Sequence, residues 1–147
     1  MILGLNERPQ DAVAAIDASG AVLKYGELSA FSEKIGALLP QRSLLFLLTE
    51  NNVGGIAWGM GSIHSGNVPL ILNAHIEEGL YHNLFEIYRP SYVCLPTRMA
   101  SALRYEIVCE CYGYTLLHTG MEPCTLHADL SHLLPTSGST GSPKLVR

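Results

Sequence analysis

The centre of the predicted fold is a continuous apolar run, Ser43-Leu44-Leu45-Phe46-Leu47-Leu48. Because this run does not alternate between apolar and polar residues, it predicts a strand that is covered on both faces. Such a strand is typical of a parallel sheet with helices on either side. Immediately after it, Asn51 or Asn52 can cap a helix that runs to about Ser65, because an Asn side chain accepts hydrogen bonds from the free amides of a first turn.

Further helices and strands alternate before and after this run. Apolar residues recur at the helical period in residues 27–39 and 76–88, and a proline follows each of these helices. Short strands are predicted at residues 21–25, 68–71 and 91–95. Strands and helices that alternate at such short intervals predict right-handed crossovers and a doubly wound α/β layer.

The pattern changes towards the end of the chain. Residues 106–111 and 114–119 flank Tyr112-Gly113 and predict a β-hairpin, and residues 131–136 predict a last strand before a glycine-rich end. We therefore predict a single α/β domain over residues 1–147. Its sheet is doubly wound and mostly parallel, with flanking helices and one β-hairpin.

Composition restricts the possible partners and location. Hydrophobic residues make up 48% of the chain and charged residues 15%, which excludes a disordered protein. The formal net charge is -4 and the basic residues are scattered, so we expect no nucleic acid and no anionic membrane as a partner. The N-terminus has no basic stretch before a long apolar run, and His64, Asn67 and Pro69 interrupt residues 53–72. We expect no signal peptide, no membrane span and a cytoplasmic location.

Residues that can bind metals are present, but without the spacing of a metal site. Cys109 and Cys111 form a C-x-C with no second pair at zinc spacing. His127, Asp129 and His132 could reach a metal from one loop, although such residues are more often polar surface groups. We expect reduced thiols and no metal ligands in this chain.

The chemistry of the chain is concentrated in residues 136–144, Thr-Ser-Gly-Ser-Thr-Gly-Ser-Pro-Lys, which we call the phosphate segment. Glycines let backbone amides approach a ligand, hydroxyl groups donate to phosphate oxygens and a lysine adds positive charge, so this set suits a polyphosphate. It is not a Walker loop, which has Gly before the Lys and Ser or Thr after it, because Pro143 precedes Lys144 and Leu145 follows. By composition alone such a stretch is most often a solvated loop. The order of its residues favours phosphate binding.

That order resembles the core signature of the adenylate-forming superfamily, which includes acyl-CoA synthetases, nonribosomal adenylation domains and luciferases. All eight specified positions of the signature are met between Thr136 and Lys144. Weaker similarities to the family follow in the same order at residues 23–28 and 50–70. The chain departs from the family at Pro135, where an aromatic residue is usual, and after the lysine, where Gly is usual.

The resemblance implies a ligase that activates a carboxylate with ATP and Mg²⁺ to an acyl-adenylate and then passes the acyl group to a thiol of CoA or of a carrier protein. In such an enzyme five side chains of the phosphate segment would hold the β- and γ-phosphates: Thr136, Ser137, Ser139, Thr140 and Lys144. Gly138 and Gly141 would permit the tight path of the backbone. These residues position and neutralise phosphate without a covalent step, so no catalytic residue is assigned to this chain.

The family's magnesium, adenine and ribose sites, and its mobile C-terminal domain, all come after the signature. We therefore expect this chain to be a truncated N-terminal part of an adenylation domain that is inactive alone. Apolar surface that the remainder would cover should make the chain self-associate. The alternative is a non-catalytic α/β interaction module that forms oligomers or docks a partner through the same apolar face. A reading frame that continues beyond codon 147 into an acidic metal-site motif favours the enzyme, and a stop codon favours the module.

Overall fold

The computed structural model describes residues 3–136 and the backbone of residues 145–146. After a short 3-10 helix, Leu5–Glu7, the helices are α1 (Tyr25–Leu38), α2 (Val53–His64), α3 (Glu78–Tyr88) and α4 (Thr97–Ala100). The strands are β1 (Val13–Ile16), β2 (Val22–Lys24), β3 (Leu44–Thr49), β4 (Val68–Asn73), β5 (Tyr92–Pro96), β6 (Glu106–Cys111), β7 (Tyr114–His118), β8 (Leu134–Pro135) and β9 (Leu145–Val146). No helix in this part of the chain has the length and apolar character needed to cross a membrane.

The main sheet of the described residues has the strand order β4-β3-β5-β7-β6. The apolar run predicted as a central strand is β3, which pairs in parallel with β4 on one side and β5 on the other. Phe46 is thus flanked by Leu70 and Val93 and is fully buried. The predicted hairpin is confirmed as β6 and β7, and β7 joins the sheet antiparallel to β5. Its turn residues Tyr112 and Gly113 both have positive φ, the form that matches the twist of a hairpin.

Helices cover both faces of this sheet. On one face α1 and α2 pack on alternate strand residues, including Leu45, Leu47 and Leu116. On the opposite face α3 packs on the residues between them, including Phe46 and Leu117. Successive residues of a strand point to opposite faces, which is why the central run is apolar without alternation. The predicted doubly wound α/β class is confirmed.

The first turn of α2 lies directly against the hairpin. A Cβ atom at Gly54 would lie 2.3 Å from the backbone oxygen of Tyr112, so a larger residue would push the two elements apart. One turn later, Trp58 is fully buried and its Nε1 donates to the backbone oxygen of Cys111 at 3.0 Å. The ring of Phe31 on α1 meets the indole edge to face, with 4.9 Å between ring centroids. These contacts fix α1 and α2 against each other and against the hairpin.

The first predicted strand lies outside the main sheet. It is β2, which pairs antiparallel with β1, a strand that the prediction did not contain. Within β2 only Leu23 is buried, while Val22 and Lys24 are exposed. A strand with one buried side chain packs at the margin of a core instead of in its centre. The parallel crossovers of the main sheet therefore run through α2 and α3.

Candidate functional site

Most of the phosphate segment lies outside the described residues. Thr136 is exposed and directly follows β8. The remaining predicted contacts lie outside the described part of the chain: Ser137, Gly138, Ser139, Thr140, Gly141 and Lys144. The geometry of the candidate site therefore depends on the strands that lead into and out of the segment.

Those two strands pair with each other. Leu134 is opposite Val146 and Pro135 is opposite Leu145 in an antiparallel ladder. The described residues on the two sides of the phosphate segment, Pro135 and Leu145, thus lie next to each other.

Leu133 attaches the segment to the edge of the main sheet. Its N–H donates to the Pro69 oxygen at 2.9 Å, and its oxygen accepts from the Ile71 N–H at 3.0 Å, as in a parallel pair. The predicted strand at 131–136 is thus confirmed only as this bridge and Leu134–Pro135. Because parallel strands end at the same edge, Thr136, which follows β8, lies on the side of the sheet where β3, β4 and β5 end. Open α/β sheets bind ligands outside the carboxyl ends of their strands.

Three charged or titratable residues, Glu50, His75 and Arg98, form a cluster along the same edge. Glu50 follows β3, His75 follows β4, and Arg98 lies in α4 directly after β5. Both terminal nitrogens of Arg98 donate to the Glu50 carboxylate, one of them to Oε2 at 3.1 Å. His75 Nε2 lies 3.3 Å from Glu50 Oε1. The cluster therefore links the loops after three neighbouring strands.

The Arg98 side chain keeps Glu50 ionised. Its hydrogen bond lowers the pKa of the Glu50 carboxyl despite some burial, and the charges of Arg98 and His75 act in the same direction. In return, the hydrogen bond to Glu50 raises the pKa of Arg98. Side-chain exposure is 24% for Glu50 and 59% for Arg98, so solvent screens the pair. Its main effect is to position the loops, since exposed ion pairs contribute little stability.

A buried hydroxyl fixes the end of β3 beneath this cluster. The Tyr114 hydroxyl accepts from the Glu50 N–H at 3.0 Å and donates to Asn52 Oδ1 at 2.9 Å. The same Asn52 oxygen accepts from the Gly55 N–H at 2.9 Å and caps α2, as predicted for Asn51 or Asn52. Burial raises the pKa of Tyr114, so its hydroxyl retains the proton that it donates.

Asp17 joins the β1–β2 ribbon to the start of α2. Its Oδ2 accepts from the Val53 N–H at 3.0 Å, and its Oδ1 accepts from the N–H groups of Ser19 and Ala21 at 2.9 and 3.2 Å. The bond from the Ser19 hydroxyl is the largest of several that lower the pKa of Asp17. A negative charge is therefore held beside the positive end of the helix dipole.

Sequence reasoning missed Asp17, Glu50, His75 and Arg98 as members of this edge. Their contacts join residues that are far apart in the chain, and no local pattern encodes them. One signal was available for Glu50, which directly follows an apolar strand. In a parallel sheet such a polar residue lies at the ligand-binding edge.

The residues considered as metal ligands do not form a cluster in the described part of the chain. Cys109 and Cys111 lie on β6, at the edge of the sheet. His127 Nδ1 accepts from the Asp129 N–H at 3.2 Å, a contact within one loop. Among residues 3–136 no group of three His, Cys, Asp or Glu side chains could hold a metal ion.

Sequence comparison alone assigns this chain to no family. No protein-family model matches it, and a search of curated proteins finds no match.

Solved structures, in contrast, match almost the whole chain in fold. O-succinylbenzoate coenzyme A synthetase (MenE) from Bacillus subtilis, in complex with AMP, has a TM-score of 0.69 at 16% identity over 99% of this chain and 40% of its own. Apo MatB from Rhodopseudomonas palustris has a TM-score of 0.66 at 18% identity over 96% of this chain and 32% of its own. The luciferase-like enzyme of the nonluminescent mealworm Zophobas morio has a TM-score of 0.68 at 13% identity over 97% of this chain and 40% of its own.

These three proteins are adenylate-forming enzymes, and the match lies in the N-terminal portion of their adenylation domains. The fold of this chain therefore matches part of the fold of these enzymes, in keeping with the resemblance of the phosphate segment. At identities of 13–18% the likeness establishes the fold alone. The chain spans 32–40% of the length of these three structures.

Proposed function

We propose that this chain is the N-terminal part of an ATP-dependent ligase that activates a carboxylate as an acyl-adenylate. One observation supports the proposal: β8, which leads into the signature of residues 136–144, follows Leu133 towards the carboxyl edge of the sheet and pairs with β9, which follows the signature. A signature found by residue order could arise in any loop. Flanking strands that pair with each other, and an entry on the side where α/β sheets bind ligands, support a nucleotide site.

The donor groups of the phosphate segment fit a nucleotide triphosphate. Hydroxyl groups and one ammonium group would hold the β- and γ-phosphates: Thr136, Ser137, Ser139, Thr140 and Lys144. Gly138 and Gly141 would let backbone amides approach the same oxygens. In this role the segment fixes the leaving pyrophosphate and offsets its charge while the carboxylate attacks the α-phosphorus.

Magnesium enters this proposal with ATP and is assigned no ligand in this chain. Residues 3–136 contain no cluster of acidic, His or Cys side chains that could hold a metal ion. Bound Mg²⁺ would supply charge neutralisation on the phosphates. The chain's own contribution is to position the phosphates through the phosphate segment and to hold the edge beside it through Glu50, His75 and Arg98.

The full ligase would take a small carboxylate as substrate and a thiol of CoA or of a carrier protein as acceptor. The four cysteines of the chain are free thiols, in keeping with a reducing compartment, and we propose a cytoplasmic location. The 147-residue chain alone should not catalyse adenylation, since the adenine, ribose and magnesium contacts of this superfamily come after the signature.

Carboxylate-dependent exchange of labelled pyrophosphate into ATP tests the proposal in the longer polypeptide that contains this chain. Lys144→Ala and Thr140→Ala should each lower kcat/KM for ATP by about 10- to 150-fold, which corresponds to about 1.5–3 kcal/mol for a hydrogen bond to a charged group. Lys34→Ala on α1 and Thr125→Ala in an exposed loop are matched controls and should keep the unsubstituted rate. Wild-type exchange kinetics in both phosphate-segment variants would refute phosphate binding by this segment.

The competing proposal is a non-catalytic interaction module with the same fold. The exposed apolar side chains Ile16, Ile56 and Met60 favour it, because they offer a contact surface that needs no nucleotide. A reading frame that ends at codon 147, together with absence of ATP binding, would support the module over the ligase.

A further inference from the structure

Two cysteines lie close together on the hairpin strand β6. Cys109 and Cys111 are free, half-buried thiols, and both pack against the core cluster that α1 and α2 form with the sheet. In the register of the hairpin Cys109 is opposite Leu116 and Cys111 is opposite Tyr114, which are two members of that cluster. The two thiols therefore lie on the same face of β6, the face towards α1 and α2. We call them the thiol pair.

The strand fixes the spacing of the thiol pair. The bulge of β6 lies between Ile107 and Cys109, so residues 109–111 are regular. Two residues of an extended strand span about 6.6 Å, and because alternate side chains are parallel, their Cβ atoms are about equally far apart. A disulfide needs a Cβ–Cβ distance of about 3.5–4.5 Å, so this pair does not form one without movement of the backbone. The two thiols are held close to each other but separate.

An ion that binds two sulfur atoms on opposite sides of itself fits this spacing. Metal–thiolate bonds are about 2.3 Å long, which places the two sulfur atoms of a linear site about 4.6 Å apart. Thiols whose Cβ atoms are about 6.6 Å apart reach that distance when each Cβ–Sγ bond leans about 1 Å along the strand. The pair thus suits a bridging ion better than a direct sulfur–sulfur bond.

The number of ligands within reach decides the kind of ion. Cys94 is also opposite Leu116, but across the other side of β7, so two strand spacings, or about 9.6 Å, separate it from Cys109. Among residues 3–136 no group of three His, Cys, Asp or Glu side chains could hold a metal ion. Zinc takes four ligands and does not fit. A soft monovalent ion such as Cu⁺ or Ag⁺ needs only two, and thiolate ligands favour such ions.

We propose that Cys109 and Cys111 bind one soft monovalent cation of the Cu⁺ class as two thiolates. Binding forms two metal–sulfur bonds and releases two thiol protons to solvent, with no change in oxidation state. This proposal revises the expectation that the chain has no metal ligand. The thiol pair lies on β6, at the opposite end of the strand order from β4, so the site does not depend on the proposed nucleotide site.

The surroundings of the thiol pair hold it in place before an ion arrives. The backbone oxygen of Cys111 accepts from Trp58 Nε1 at 3.0 Å. The ring of the next residue, Tyr112, packs on Phe31 with 4.9 Å between ring centroids, and Gly54 lies against the Tyr112 backbone. A site that is already ordered loses less conformational entropy on binding than the same two cysteines in an unfolded chain. The native chain should therefore bind the ion more tightly than a C-x-C sequence does by itself.

Burial acts on the unloaded thiols. It raises the pKa of Cys109, so this thiol keeps its proton until an ion displaces it. Because the thiolate is the nucleophile in disulfide exchange and oxidation, a thiol that keeps its proton is less reactive towards both. The unloaded pair therefore stays reduced and available to a thiophilic ion.

Anaerobic competition for Cu⁺ with the chelator bathocuproine disulfonate tests the proposal in the 147-residue chain. The chain should retain one Cu⁺, and Cys109→Ser and Cys111→Ser should each weaken binding by more than about 100-fold, beyond the 10- to 100-fold loss that changes behind the ligands cause. Cys124→Ser, at an exposed thiol in a loop, is the matched control and should bind as the unsubstituted chain does. Binding that survives either ligand substitution, or that is lost with Cys124→Ser, would overturn the proposal.

The same titration of the unsubstituted chain in urea needs no variant to fold. The unfolded chain should bind Cu⁺ at least about tenfold more weakly than the native chain, because only the native chain holds the pair in register. Equal affinities would show that any C-x-C sequence binds equally well, and the built site would be refuted.

Trp58 gives a second readout with Ag⁺ alone, which stays in one oxidation state. Because the indole contacts the Cys111 backbone, one equivalent of Ag⁺ should quench Trp58 fluorescence in the native chain and in Cys124→Ser, but not in Cys111→Ser. X-ray absorption of the Cu⁺-loaded chain should show two sulfur neighbours and no nitrogen or oxygen. Unquenched Trp58, or three or more sulfur neighbours from a cluster shared between chains, would contradict the two-thiolate site.

Discussion

Replacing Arg42 with Ala tests how the chain holds the loop that leads to the phosphate segment. The Arg42 guanidinium donates to the backbone oxygens of Gly66, His127, Ala128 and Leu130. It therefore ties the turn before β4 to the loop before Leu133. The guanidinium cation of Arg42 is therefore held by neutral backbone carbonyl oxygens instead of by a carboxylate.

The number and length of these hydrogen bonds give the expected loss in the free energy of unfolding. The bond to Ala128 is long at 3.4 Å and shares its nitrogen with two others, so it adds little. The remaining bonds are made by two nitrogens, and a hydrogen bond to a charged group contributes about 1.5–3 kcal/mol. Because residues 127–129 are exposed, water solvates part of the freed carbonyl groups. We expect Arg42→Ala to lower the free energy of unfolding by about 2–4 kcal/mol, and Arg42→Lys, a point charge without the fork, to lower it by about half as much.

Urea unfolding followed by circular dichroism measures this loss, and amide exchange locates it. The Leu133 N–H, which is bonded to Pro69, should exchange faster in Arg42→Ala, while β3 amides should change only with global stability. Arg104→Ala, at an exposed arginine before β6, is the control. If the two alanine variants unfold within about 0.5 kcal/mol of each other, the range of neutral surface changes, the reasoning about Arg42 is wrong.

Three further predictions concern the edge and the α2 terminus. Folding lowers the pKa of Glu50, so its ion pair contributes stability above the unfolded pKa and loses it as the pH falls through the lowered folded value. Urea midpoints of the wild type and Glu50→Gln should therefore differ at pH 7, and the difference should shrink as the pH falls below the ordinary Glu pKa of about 4.3; a difference that does not shrink on acidification would refute the assignment. Asp17→Ala removes the acceptor of the Val53 N–H, so that amide should exchange faster in native-state hydrogen exchange, whereas Asp11→Ala should leave it unchanged; equal rates in both variants would contradict the cap. Gly54→Ala should destabilise the chain by about 1–3 kcal/mol, because its Cβ atom meets the Tyr112 backbone. The matched Gly36→Ala change in α1 has only an ordinary contact at 3.7 Å and should stabilise by about 0.5–1 kcal/mol, so a reversed order in thermal unfolding would refute the packing argument.

The elements that the sequence predicted well are those in which local pattern and burial agree. In β3 every residue from Leu44 to Leu48 is buried, so an uninterrupted apolar run was a sufficient signal. Asn52 was predictable as a cap because the required side chain immediately precedes the helix. The hairpin was predictable from Tyr112-Gly113, since a two-residue turn between apolar strands restricts the pairing.

What the sequence did not predict depends on contacts between distant residues. Strand β1 exposes both Val13 and Ile16, so it lacks the one-sided pattern of a half-buried strand. The cluster of Glu50 with Arg98 joins residues 48 positions apart, and neither residue has a local pattern that identifies its partner. In contrast, the order of residues in the phosphate segment predicted a role for residues 137–144 that lie outside the described part of the chain.

The burial of Trp58 has a practical consequence for measurements of unfolding. It is the chain's single tryptophan, and its indole is shielded from solvent at the junction of α2, α1 and β6. Its fluorescence emission should therefore be blue-shifted and resistant to quenching by iodide in the native chain. A red shift would report separation of α2 from the hairpin without any attached label, so the chain carries its own optical reporter of this junction.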